Sequence, residues 1–129
     1  MVAVAVYRPV SDHDIRLLAF QHFTHLLTDI KGYPKGLLAN EVQLDLNGTK
    51  KRCDTVLFNK ELNARMIVEY KAPSVEITQA VFDQITRYNM VLKVEYLIVS
   101  NGLRHYCCRI DYTTMKYTFL PDIPDYKDL

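Results

Sequence analysis

The apolar positions of this chain change their period along its length, and each change marks an element. Phe20, Phe23, Leu27 and Ile30 recur at steps of three and four residues, which predicts a helix turning that stripe toward a core. Ser11 or Asp12 can cap it, because their side chains accept hydrogen bonds from the free N–H groups of a first turn. Gly32 and Pro34 stop it. Next, Val42, Leu44 and Leu46 alternate with Glu41, Gln43 and Asp45, the period-2 signal of a half-buried strand. Asn47-Gly48 is a hairpin turn signal, a second strand runs from about Arg52 to Phe58, and a looser turn covers Asn59 to Ala64. The third strand, Arg65 to Lys71, is apolar and β-branched with charge only at its ends, as suits a strand covered on both faces.

Pro73 ends that strand, and a second helix is predicted from about Glu76 to Leu92, its buried stripe reading Ile77, Val81, Gln84, Ile85, Tyr88 and Leu92. Strands over Glu95 to Ser100 and Arg104 to Ile110 follow, joined at Asn101-Gly102, with a last strand at Met115 to Phe119. Residues 1–10 read as an arm, and the tail from Pro121, rich in proline and aspartate, as loosely ordered. The order α-β-β-β-α-β-β, with the further strand, predicts an α/β (α+β) fold: a central mixed β-sheet flanked by helices.

Length and composition narrow this picture. At 129 residues the chain fits one domain with its core over about 11–120, and 49% hydrophobic residues are enough to fill that core. Sixteen Lys+Arg against fifteen Asp+Glu exclude a domain that grips duplex DNA by bulk positive potential. Any nucleic-acid contact must come from a local patch, a partner or an assembly. Cys53, Cys107 and Cys108 make a poor disulfide framework and contain no C-x-x-C pair, which points to a reducing compartment. With neither a signal peptide nor an apolar run of about 20 residues, a cytoplasmic location is expected.

The chemistry gathers at strand ends. Glu69 and Lys71 are two residues apart in an extended run, so both point to one face of the sheet. A carboxylate and an ammonium beside a buried run are costly unless they pair or bind something. Asp54 lies on the preceding strand, fifteen residues before Glu69, and a hairpin would set the two carboxylates side by side. Two such neighbours repel, and a divalent cation is the usual way to keep both ionised. Asp followed by Glu-x-Lys therefore suits a Mg²⁺-dependent phosphodiesterase, in which metal polarises phosphate and lysine stabilises developing charge. A lone E-x-K is commonly just a surface ion pair; the adjacent strands, and Gln84 with Tyr88 one helical turn apart on the second helix, favour a site.

Four ordered motifs then converge on one family. Lys51-Arg-Cys-Asp54, Ile67-Val-Glu69-Tyr-Lys71-Ala-Pro73, Asp83-Gln84-Ile-Thr-Arg-Tyr88-Asn89 and Leu97-Ile-Val-Ser-Asn-Gly102 resemble the N-terminal nuclease domain of type I restriction enzyme R (HsdR-type) subunits over residues of about 15–120. The resemblance implies the PD-(D/E)XK restriction-endonuclease-like fold, metal binding by Asp54 and Glu69, a catalytic Lys71, and a Q-x-x-x-Y motif at Gln84 and Tyr88. Glu41 is the candidate for the upstream glutamate that many relatives add. Cys53 stands where Ala or Pro is more usual, and no P-loop of the form G-x-x-x-x-G-K-[ST] occurs, so the helicase motor of a full R subunit is absent from these residues.

Other groups are less specific. His22 and His25 are three apart on the first helix without a cysteine nearby, and His22, between Leu18 and Leu26, is expected at the core or its boundary. Lys50-Lys51-Arg52 forms a basic turn beside Asp54, either a solvated hairpin tip or a contact to the phosphate backbone, with Arg87, Lys93 and Arg104 as additions and Tyr88 beside them. The expectation is thus a Mg²⁺-dependent DNA endonuclease, with Mn²⁺ as a substitute cofactor. Near-neutral charge adds a homodimer or other restriction-system subunits as partners. The alternative is a catalytically silent nuclease-fold module binding DNA or protein.

Overall fold

The computed structural model of the chain describes residues 21–46, 48–90 and 92–129, the side chains of Leu46, Thr49 and Tyr88 excepted. The arm, the cap at Ser11 or Asp12, and Phe20 of the first stripe lie outside the described residues. Residues 21–25 are α-helical and run into a π-turn at Leu26–Ile30; together these form α1. Phe23 and Leu27 are buried as the stripe predicts, but Ile30 is 70% exposed. The wider turn explains this: the Lys31 N–H reaches back to the Leu26 carbonyl at 3.0 Å, five residues away, so the position three after Leu27 no longer returns to the core side.

Six strands form one mixed sheet in sequential order. They are β1 (Leu38–Leu46), β2 (Thr49–Phe58), β3 (Ala64–Tyr70), β4 (Tyr96–Ser100), β5 (His105–Asp111) and β6 (Lys116–Phe119). Between β1 and β2, Leu46 pairs with Thr49, so the loop has two residues, and Gly48 takes the left-handed φ of +78° that such a turn requires. All neighbours are antiparallel except β3 and β4, which are parallel. A parallel pair needs a crossover, and α2 (Gln79–Met90) supplies it.

Alternation along the strands divides the core into two layers. Ile67 of β3, Leu97 and Val99 of β4, and Cys108 and Ile110 of β5 pack with Phe82 and Ile85 of α2. The intervening residues Met66, Val68, Tyr70, Tyr96, Ile98 and Cys107 pack on the opposite face with Phe23, Leu27 and Tyr33. The tail corrects the expectation of loose order, because it closes this second layer. Ile123 is buried, the Tyr126 N–H donates to the Lys31 carbonyl at 2.8 Å, the Tyr33 hydroxyl donates to the Pro124 carbonyl at 2.9 Å, and Lys31 pairs with Asp122 at 2.8 Å. Prolines limited the tail's own regular structure without preventing it from docking.

All three cysteines are free and buried. Cys107 and Cys108, adjacent on β5, point to opposite layers, and burial pushes both thiols up to about 12. His22 is exposed on α1 rather than at the core; the buried histidine is His105, against the Phe23 ring with centroids 4.8 Å apart. His105 Nδ1 lies 2.6 Å from Ser100 Oγ.

Burial pushes the His105 imidazole down to about 4, and the charge of His22 acts in the same direction. A histidine whose folded pKa is depressed binds fewer protons than its unfolded counterpart, so its contribution is present above about pH 6.5 and is lost as pH falls toward 4. The full loss is about 3 kcal/mol. Denaturant unfolding at pH 7 and pH 4.5 should show a larger drop in stability for the parent than for His105→Gln; equal drops would refute it.

Candidate active site

The β2–β3 ladder ends in the pair Thr55 and Val68, and one step beyond it Asp54 stands opposite Glu69. Asp54 shares its strand face with Val56, and Glu69 with Ile67, so both belong to the layer under α2. Asp54 Oδ2 accepts the Tyr70 backbone N–H at 2.8 Å, which fixes the carboxylate by giving a strand-end donor its acceptor.

Glu69 is held by two donors on the same oxygen. The Lys51 ammonium donates to Oε1, and Asn89 Nδ2 lies 3.4 Å from it. The pair is largely out of water, with Lys51 8% and Glu69 13% exposed. Burial holds the Lys51 ammonium below its ordinary pKa; the nearby charge of Asp54 opposes that shift and the charge of Lys71 adds to it. Two carboxylates and two ammoniums therefore share one small region around Lys51.

Lys71 is pinned by its backbone. Its N–H donates to the Ser100 carbonyl at 2.7 Å, one residue past the β3–β4 ladder, and Ser100 Oγ in turn accepts the Gly102 N–H at 3.1 Å. Asn89 comes from α2, where Nδ2 also donates to the Ile85 carbonyl at 2.8 Å. Asn89 Oδ1 is buried and has no hydrogen-bond partner among the described residues.

The structure sets Asp54 opposite Glu69, with the charge of Lys71 felt at Lys51, and it corrects the surroundings. Gln84 is exposed; the buried face of α2 is Phe82, Ile85, Thr86 and Asn89, so Asn89 is the polar residue turned to the carboxylates. Tyr88 belongs to α2, but its side chain lies outside those described. Glu41 has a left-handed φ of +54° and an exposed carboxylate 3.5 Å from Arg52. It joins no metal cluster: among the described residues no three His, Cys, Asp or Glu side chains are placed to hold an ion together. Lys50, Arg52 and Arg87 are exposed, whereas Lys51, read as part of the same basic turn, is buried against Glu69.

Sequence reasoning put Lys51 in a DNA-facing basic turn rather than on Glu69, and gave Asn89 no role. A signal for Asn89 existed, since Phe82, Ile85 and Asn89 recur at steps of three and four. For Lys51 the signal is weaker: it precedes the buried Cys53 by two residues on β2, the period of one strand face.

The donor set fits a hard divalent cation. Carboxylate oxygens from Asp54 and Glu69 and the unpartnered Asn89 Oδ1 are all oxygen ligands, and Mg²⁺ is commonly held through one or two carboxylates with water and phosphate completing its shell.

Comparison with known proteins places the chain. Residues 19–124 match the family described as the type I restriction enzyme R protein N terminus, and the chain belongs to that family. Its fold is similar to that of a chain described as a fragment of an HsdR subunit of a type I restriction enzyme from Vibrio vulnificus YJ016, with a TM-score of 0.58 and 19% sequence identity. That likeness covers 89% of this chain and 24% of the other, so this chain spans about a quarter of the length of that fragment. No curated protein matches it. Among the described residues, no helix is long and apolar enough to cross a membrane.

The Asp54 cap gives a stability test. Asp54→Ala leaves the Tyr70 N–H without its acceptor and should cost about 1–3 kcal/mol, while Asp54→Asn, which keeps an acceptor oxygen, should cost less. Urea unfolding of the three proteins checks this; equal losses for the two variants would argue against the cap.

Proposed function

We propose that this chain is a Mg²⁺-dependent DNA endonuclease domain of the PD-(D/E)XK type, hydrolysing phosphodiester bonds as part of a type I restriction system. The observation that carries the reading is the meeting of Asp54 and Glu69 from opposed positions on β2 and β3, beneath α2 and with Lys71 nearby. Family membership supports the restriction setting.

Asp54 and Glu69 would hold the divalent cation, Mg²⁺ or Mn²⁺ in its place, which when bound supplies Lewis-acid stabilisation of the phosphate and an activated water. Each of the remaining groups has a part that follows from its position. The Tyr70 N–H keeps the Asp54 carboxylate turned to the cluster, and the Asn89 amide does the same for Glu69. Lys71, with its backbone fixed by Ser100, presents an ammonium to negative charge developing on the phosphate. Lys50, Arg52 and Arg87, all exposed, are positioned for sequence-independent contacts to the DNA backbone, and Gln84 and Tyr88 on α2 would meet the DNA rather than the ion. A formal net charge of +1 leaves intrinsic DNA affinity low, so other subunits of the system, or a second copy, would supply the rest of the grip. The setting is cytoplasmic.

A second reading, a catalytically silent binding module, is favoured by one observation: the Lys51 ammonium already neutralises Glu69. Plasmid nicking with Mg²⁺ or Mn²⁺ separates the two. The endonuclease reading expects nicking by the parent and a loss of about 100-fold or more in Glu69→Ala and Lys71→Ala. Equal nicking by Lys71→Ala and the parent would overturn the mechanism, and a parent that binds DNA but never nicks it would establish the silent module.

A further inference from the structure

The group in contact with Glu69 is a lysine that the Asp, Glu-x-Lys pattern does not include. Lys51 is 8% exposed, its ammonium sits on Glu69 Oε1, and the charges of Asp54 and Lys71 both reach it. We propose that Lys51 is a built-in counter-ion occupying the place of the divalent cation, so that the cation binds Glu69 only by displacing the Lys51 ammonium. The inference rests on the reading of Asp54 and Glu69 as cation ligands, and adds a restraint on when they act as such.

Charge balance carries the argument. Two carboxylates attract a dication strongly only if their charge is not already cancelled, and here the Lys51 ammonium pairs with Glu69, with the charge of Lys71 also felt at Lys51. Without Lys51 the cluster would hold one net negative charge in a weakly solvated place, where attraction between ions is strengthened. Burial also explains why the lysine is there. Glu69 lies at the end of a strand whose preceding residues are fully covered, and an ionised carboxylate there needs a cation in every state of the protein. Asn89 adds a second, uncharged donor: its Nδ2 lies 3.4 Å from Glu69 Oε1 and does not depend on which cation is present. The long, flexible lysine stem lets the ammonium withdraw without moving β2.

The test is calorimetric titration of the full chain with MnCl₂, comparing the parent with Lys51→Met, Lys51→Gln and Glu69→Ala. Both Lys51 variants should bind Mn²⁺ at least about tenfold more tightly than the parent, and Mn²⁺ should raise their Tm by more than it raises the parent's. Lys51→Gln keeps a neutral donor for Glu69 and serves if Lys51→Met is unstable without metal. Unchanged or weaker Mn²⁺ affinity in the Lys51 variants, with binding abolished in Glu69→Ala, overturns the counter-ion role and leaves the cation site standing. Absence of Mn²⁺ uptake by the parent and by both Lys51 variants overturns the cation site and the counter-ion role together. A Lys51→Met chain that is unfolded without metal and stays unfolded with Mn²⁺ also counts against it, because the cation should replace the ammonium as the partner of Glu69.

Discussion

Strand β3 sets the terms for everything around it. From Met66 to Val68 it is buried on both faces, with α2 over one and α1 over the other, and Glu69 follows directly while still mostly enclosed. A charge in that position must find an opposite charge or a hydrogen-bonding group, since desolvation without compensation outweighs what burial of its neighbours contributes. Parallel pairing with β4 and antiparallel pairing with β2 fix where Glu69 can be. Asp54, Lys51, Asn89 and Lys71 are then placed by the ladders and by the helix that must cross over to make the parallel pair. The site is a consequence of topology, assembled one step past the end of the β2–β3 ladder.

The same arrangement makes stability and chemistry compete for one carboxylate. In the protein alone, Glu69 is satisfied by an ammonium and an amide. Chemistry of the proposed kind asks it to bind something else. A residue that is fully satisfied in the resting state is stable but poorly available, and removing one partner from a buried pair leaves the other exposed to the full cost of desolvation. The neutral overall charge of the cluster keeps the metal-free fold intact, and it also means that the domain offers little attraction to anionic DNA at the place where cleavage would occur.

Much of this was legible in the residues themselves. Continuous apolar character marked β3, and Asn47-Gly48 marked the β1–β2 turn. The family resemblance drawn from four motifs agrees with the family match. Where the reading failed, it failed on phase and on long-range pairing. Steps of three and four from Val81 through Gln84 to Tyr88 fit a stripe at the edge of the helix face, whereas the buried face of α2 runs through Phe82, Ile85 and Asn89. A π-turn rotated Ile30 outward, and no local pattern announces such a turn. Lys51 looked like any lysine near a hairpin tip, because its partner is eighteen residues away on another strand. The tail looked unstructured because its order comes from α1 rather than from itself.

One consequence concerns the adjacent thiols of β5. Cys107 and Cys108 are neighbours in sequence but face opposite sides of the sheet, so the backbone plane stands between their sulfurs and they behave as two independent reporters. Each stays in the protonated, slow-reacting form while its own layer is closed. Alkylation of Cys107 would therefore register the lifting of α1 and the tail, and alkylation of Cys108 the lifting of α2. The molecule carries, on consecutive residues, separate clocks for the opening of its two sides.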